Sequence, residues 1–358
     1  MQLHTLKTVF IAFFLTLSTL SFAASSGEKG EDPTEAILHH VNDTHGFHVI
    51  GDFSIPLPVI LWTENGLVTF MSSEFHHDID GKVIVEKKGM QFVNYHEKIY
   101  QLQPGETIVL DAEEHPTNTR PLDFSITKNV FSMLLSMVFL FLIFITAARS
   151  YKKNKGAPKG IAKFIEPLVV FVKDEIAIPN IGKKKYRKYL GFLLTVFFFI
   201  WLNNLMGLIP FFPFSANLSG NIAFTVTLAT FTFIIVNVNG NKHYWKHIFW
   251  MPGIPIPIRI IMAPLEFIGV FTKPISLFIR LFANITAGHI VVLALISLIF
   301  FFKNLYGDVA GYAVAPVSIA FVVFVSIIEI LVVAIQAYIF TVLSALYIGM
   351  ATAEDEHH

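Results

Sequence analysis

Arg280, Asn284 and His289 share one apolar stretch, Pro274-Ile-Ser-Leu-Phe-Ile-Arg280-Leu-Phe-Ala-Asn284-Ile-Thr-Ala-Gly-His289, which continues to about Phe302. A second apolar stretch holds Glu329 and Gln336, seven residues apart, and Glu266 precedes Pro274. Carboxylate and imidazole exchange protons, whereas a guanidinium in practice does not. Such a set at membrane depth has the makings of a proton path crossed by a fixed positive barrier. The cost of the residues makes them informative. An arginine at the bilayer centre costs roughly 3 kcal/mol on insertion scales, so its default reading is functional. On an ideal helix Asn284 lies nearly on the face of Arg280, His289 lies about half a turn away, and Glu329 and Gln336 share a face.

The elements that position these residues belong to a membrane protein. Of 358 residues, 54% are hydrophobic and only 15% charged, against about a quarter charged in soluble domains. Net charge is zero, with no basic excess to point to nucleic acid. Cysteine is absent, which excludes disulfides, thiolate metal sites and cysteine nucleophiles. Lys7, the short apolar run Val9 to Leu15 and the small residues ending at Ala23 read as a signal peptide over 1–23. Residues 24–125 then form an extracytoplasmic region. Alternating segments at Leu67–Phe70, Lys82–Glu86 and Lys98–Leu102 predict short strands there. His39, His40, His45, His48, His76, His77, His96 and His115 fall in it. Their spacing matches no ligand motif, so they read as surface histidines and no metal site is assigned.

Residues 126–358 are the membrane domain. Val130 to Ala148 is long enough to span and ends at Arg149, Lys152, Lys153, Lys155 and Lys159. That basic cluster marks the cytoplasmic side. Ile161 to Ile178 is too charged to span and is interrupted by Pro167, so it reads as an amphipathic segment on the inner face. Tyr189 to Pro210 runs outward, and Asn221 to Val238 returns toward Lys242 and Lys246. The last third differs. A helix from Pro274 to Lys303 would be about 43 Å long, and one from Pro316 to Thr352 about 55 Å, against a hydrocarbon core of about 30 Å. Either both break or both tilt steeply, and the expected answer is a highly tilted two-helix hairpin joined at Lys303 to Gly311. The predicted fold is thus an all-α polytopic membrane protein, with that hairpin at the C-terminal end and a small β-rich extracytoplasmic N-terminal region.

Arg280-Leu-Phe-Ala-Asn284-Ile-Thr-Ala-Gly288-His289 resembles the signature of the a subunit of F-type ATP synthases. Asn203-Asn204-Leu-Met-Gly207-Leu-Ile-Pro210, Ser215-Ala-Asn217, Asn221-Ile-Ala-Phe-Thr-Val-Thr-Leu-Ala, Lys273-Pro274-Ile-Ser276-Leu and Ile335-Gln336-Ala-Tyr338-Ile-Phe340 match in the family's order. The resemblance covers about 129 to 352, and more faintly Ile37 to Asn42. It implies the following roles. Arg280 faces a rotating c-ring, with Gln336 near it on the neighbouring helix. Asn284, His289 and Glu329 line a half-channel open to the outside, to which Asn204 contributes. Glu266, with Ser276, serves a half-channel on the cytoplasmic side. The His289 and Glu329 positions carry the reverse of the pair in some bacterial members, which preserves the chemistry. Gly207 stands where some members have Asp, so that position carries no role.

The implied function is that of the stator proton-channel subunit. It couples proton movement through a bacterial inner membrane to ATP synthesis elsewhere in the complex. The implied partners are the c-ring, the b subunits of the peripheral stalk, lipid and the transported proton. No cofactor is implied, and the C-terminus is cytoplasmic. Two rivals belong to other classes. A proton-coupled secondary transporter would show internal repeats, and none is found in the sequence. A non-conducting scaffold would not need Arg280, His289 and Glu329 at membrane depth. The phosphate loop, zinc and nucleophile-elbow motifs of enzymes are missing from the sequence.

Overall fold

The computed structural model describes residues 43–353, apart from 51–52, 112, 114, 154–158, 210–211, 215 and 252–254. The expected signal peptide, the faint match at Ile37 to Asn42, and the residues His39, His40 and Lys155 lie outside the described residues. The fold divides into two compact units. One holds the residues up to Leu134 together with Met206–Ala216; the other holds Leu135–Leu205 and the residues from Asn217 on.

The first unit is the β-rich region. Its strands are β1 (Gly46–Ile50), β2 (Phe53–Pro56), β3 (Pro58–Thr63), β4 (Gly66–Met71), β5 (Val85–Lys87), β6 (Met90–Tyr95), β7 (Lys98–Leu102) and β8 (Leu122–Asp123). They form a β1-β2 pair and two three-stranded sheets, β4-β3-β8 and β5-β6-β7. Alternation decides what is buried. Val59 and Leu61 of β3, with Val68 and Phe70 of β4, point into a core completed by Val85, Met90, Phe92 and Ile99. The strands expected at Leu67–Phe70 and Lys98–Leu102 are present. That expected at Lys82–Glu86 begins only at Val85, because the Asp78 carboxylate accepts the Val83 backbone N–H at 2.6 Å. The β6–β7 hairpin turns through His96 and Glu97, both at positive φ (47° and 63°).

The helices are α1 (Lys128–Lys153), α2 (Ile161–Phe171), α3 (Ile178–Ile181), α4 (Tyr186–Gly207), α5 (Ile222–Val238), α6 (Lys242–Phe249), α7 (Ile256–Tyr306) and α8 (Asp308–Thr352). α1, α4, α7 and α8 are each long and apolar enough to cross a membrane, and α5 qualifies only together with α6, which bends away by 102°. Pro167, expected to interrupt its segment, lies inside α2, and a π-helical stretch (Val172–Ala177) carries the helix on into α3. Proline removes one backbone hydrogen bond, and Pro167 is exposed, where water can serve the freed carbonyl.

The long helices depart furthest from expectation. α7 is continuous over 51 residues through Pro264 and Pro274, and α8 over 45 through Pro316. At 1.5 Å per residue they measure about 76 and 68 Å. The turn between them is not Lys303–Gly311 but Gly307 alone, at φ 90°, with Lys303 and Asp308 paired across it at 3.3 Å. The two helices pack antiparallel: Gly288 faces Glu329, and Gly311 faces Lys303. At the far end of α8 a Cβ on Gly349 would collide with the Asn180 carbonyl of α3. Lys185 Nζ there donates to the Thr352 carbonyl at 2.7 Å, a cation on a helix C-terminus.

Candidate functional site: a polar path along the long helix pair

His289 of α7 and Glu329 of α8 meet across the antiparallel pair. Nδ1 of His289 lies 3.9 Å from Oε1 of Glu329, with the carboxylate side chain 6% exposed and the imidazole 20%. Gly288 makes the room: a Cβ there would sit 2.7 Å from Glu329 Oε1. That oxygen has no hydrogen-bond partner among the described residues. A buried acceptor left unmade costs about 1–3 kcal/mol, and such orphans call for an explanation. A carboxyl that takes up and releases a proton is one.

The antiparallel register places the next pair. Arg280 lies nine residues back along α7 from His289, and Gln336 seven residues on along α8 from Glu329. Those steps are about 13 and 10 Å, so Arg280 and Gln336 stand at nearly one level. Gln336 and Glu329 are both buried, as their shared face requires. Arg280 is half-buried and within electrostatic reach of Tyr347.

Glu266, Lys273 and Arg280 follow one another at intervals of seven along α7, which lays them along one stripe of the helix. Aromatic hydroxyls lie against it. Glu266 is within electrostatic reach of the Tyr244 phenol, which donates to Asn237 Oδ1 at 3.4 Å. Lys273 Nζ lies 5.7 Å from the centre of the Tyr347 ring. Asn237, Tyr244, Lys273 and Tyr347 line one small cavity beside Pro274. Arg280 thus stands, along α7, between this small, mainly apolar cavity and the His289–Glu329 pair.

The remaining expected residues are less concentrated. Asn284 and Ser276 are exposed on α7. Asn204 is buried on α4, and its Oδ1 accepts from Ser219 Oγ at 2.5 Å. Its hydrogen bond therefore goes to Ser219 rather than to the His289–Glu329 pair. Sequence reasoning passed over Gly288, Ser219, Lys273, Tyr244 and Tyr347 as site residues. Gly288 had one visible signal, a glycine set directly before His289 in an otherwise bulky helix.

The histidines of the β-rich region are not all surface residues. His76, His77, His96 and His115 are exposed, but His45 is buried. Its Nδ1 lies 3.7 Å from Glu97 and its Nε2 3.6 Å from Asp123. Burial pulls its pKa down, but the Asp123 and Glu97 carboxylates outweigh it and raise it to about 9. Among the described residues no three His, Asp or Glu side chains converge as a metal ion would require.

Comparison with known proteins decides the family. The ATP synthase A chain family matches residues 130–349. The ATP synthase subunit a of Chloroherpeton thalassium is 46% identical over 243 residues, 66% of this chain and 69% of its own length. The chain belongs to the ATP synthase subunit a family. The subunit a of Chlorobium phaeobacteroides (strain DSM 266) is 41% identical over 282 residues, 76% of this chain and 78% of its own. That of Myxococcus xanthus is 43% identical over 244 residues, 66% of this chain and 76% of its own. As a subunit a, the chain is a non-catalytic, proton-translocating membrane subunit. Residues 36–124 match a different family, a domain of unknown function.

Proposed function

We propose that this subunit a offers a rotating c-ring two offset half-channels separated by Arg280. Protons enter from the extracytoplasmic side past Asn284, His289 and Glu329, with Asn204 near the entry. They neutralise a c-ring carboxylate, which then turns through lipid. After nearly a full turn the proton leaves by the cytoplasmic half-channel, to which Glu266 and Ser276 contribute. Arg280, held level with Gln336, stabilises the deprotonated carboxylate by opposite charge and blocks a direct leak. Each charge that crosses gains about 2.3 kcal/mol per 100 mV, so several crossings per turn support one round of ATP synthesis on other subunits.

The observation that carries this reading is the His289–Glu329 contact: a buried carboxylate oxygen with no hydrogen-bond partner among the described residues, beside an imidazole and packed against Gly288. The polar groups Asn237, Tyr244 and Lys273, on the wall of a small and mainly apolar cavity beyond Arg280, support the second half-channel. The ion is the proton rather than sodium, since an imidazole–carboxylate pair suits proton relay. Helices of about 76 and 68 Å cross a core of about 30 Å only when strongly tilted. A tilted hairpin follows the curved wall of a ring. The subunit sits in a bacterial inner membrane beside the b subunits, after removal of residues 1–23. The region 24–125 is extracytoplasmic, the membrane domain is 126–358, and the C-terminus is cytoplasmic.

The test is ATP-driven proton pumping in inverted membrane vesicles holding the whole complex. His289→Ala and Glu329→Ala are each expected to slow pumping while the complex stays assembled. Unchanged pumping in either variant removes that residue from the path.

A further inference from the structure

The outer face of the β4-β3-β8 sheet carries large apolar side chains with little over them. Directly opposed residues share a face, so Leu67, Trp62 and Leu122 form one row across the three strands. Phe124 follows beside Ile60, its N–H donating to the Ile60 carbonyl at 2.8 Å. Trp62, Leu122 and Phe124 are 55%, 64% and 63% exposed. The inner face of the same strands already supplies the core. An antiparallel sheet with one solvated face normally alternates apolar with polar, and this one does not. Contiguous exposed apolar surface marks an interaction site.

What covers the patch follows from where the sheet is anchored. Phe124 is four residues from Lys128, the first residue of α1, at most about 14 Å of chain. That stretch is no loose linker. Ile126 N–H donates to the Pro58 carbonyl at 3.0 Å and Lys128 N–H to the Thr44 carbonyl at 2.9 Å. Asp43 caps the first turn, accepting from Asn129 N–H at 3.0 Å and Thr127 Oγ at 2.9 Å. The chain therefore passes from the sheet edge, through a few hydrogen-bonded residues, into the first turn of an apolar helix of 26 residues, long enough to span. The headgroup layers add roughly 5–8 Å on each side of the hydrocarbon core, so a sheet tethered this closely lies at or beside that layer. Tryptophan and other aromatics favour it. A cation at the edge of the patch fits phosphate level: Lys88 Nζ bonds the Leu67 carbonyl at 2.7 Å.

We propose that the outer face of the β4-β3-β8 sheet docks on the bilayer leaflet in which α1 begins, with Trp62, Leu122 and Phe124 seated between lipid headgroups and upper acyl chains.

The chain has no native cysteine, so single substitutions take one nitroxide label each. Trp62→Cys, Leu122→Cys and, as a water-facing control, Lys98→Cys are labelled in the full chain. Each is reconstituted in phosphatidylcholine–phosphatidylglycerol vesicles. Accessibility to oxygen and to a polar nickel relaxant is then measured. Lipid docking predicts an oxygen-to-nickel ratio severalfold higher at positions 62 and 122 than at 98. Ratios equal to that at 98 mean a wetted face and overturn the proposal. Shielding from both relaxants means a protein cover, whether earlier residues of the chain or a second copy, and overturns it too. The two labelled positions guard against a local disturbance at either one.

Discussion

His45 and His289 are both set against buried or half-buried carboxylates, yet their surroundings differ in kind. His45 is clamped from both sides, with Glu97 on one ring nitrogen and Asp123 on the other. His289 lies 3.9 Å from the Glu329 carboxylate, whose Oε1 has no hydrogen-bond partner among the described residues and packs where a Cβ on Gly288 would sit. A buried ionisable group bracketed by opposite charge is held in one state. A buried carboxylate facing a single imidazole edge, with no second charge beyond it, is held less firmly in one state. The first arrangement braces the β-rich fold; the second is the one that the proposed function uses to take up and release a proton.

The same chemical change in the two places separates these roles most sharply. Glu329→Gln keeps the shape and removes the exchangeable proton. Proton pumping in vesicles is expected to fall by a factor of roughly 100, with assembly intact. Glu97→Gln is expected to leave pumping unchanged and to loosen the β-rich region by about 3 kcal/mol, as breaking one side of a buried pair does. Hydrogen exchange at Val59 to Phe92 in the full chain measures that loosening. Similar effects of the two changes on pumping would erase the distinction.

The clamp also sets a pH dependence. The folded pKa of His45, about 9, lies above the ordinary imidazole value of 6.5. Its stabilisation is therefore fully present below about pH 6.5 and is lost as pH rises through 9. The span of that shift corresponds to about 3 kcal/mol. Exchange protection of the β-rich region is expected to drop between pH 6.5 and 9.5 in the native chain and to stay nearly flat in His45→Ala. Two smaller effects sharpen the picture. Gly288→Ala puts a methyl group against Glu329 Oε1 and is expected to slow pumping several-fold by displacing the carboxylate, at a cost of about 1–2 kcal/mol. Asp43→Ala removes the acceptor for Asn129 N–H and should loosen the start of α1 by about 1 kcal/mol, read by exchange in its first turn.

The spans were legible because hydropathy alone marks them, and Arg280, His289 and Glu329 stood out as candidates because charge is rare in so apolar a stretch. Pro264, Pro274 and Pro316 misled. Proline reads as a break in water, but membrane helices re-satisfy the freed backbone groups, so α7 and α8 run through all three. Burial and pairing were not legible. His45 looks like its neighbours until folding brings Glu97, 52 positions away, against it. The space at Gly288 exists only because α8 packs on α7. Ser219 gained meaning only when the fold set it on Asn204.

The central claim is that Arg280 is the fixed barrier between two half-channels. Arg280→Ala in membrane vesicles holding the whole complex tests it most directly, by proton-driven ATP synthesis and passive proton conductance on the same preparation. Synthesis is expected to be lost while the complex remains assembled and the leak increases. Near-normal synthesis with an unchanged leak would contradict it.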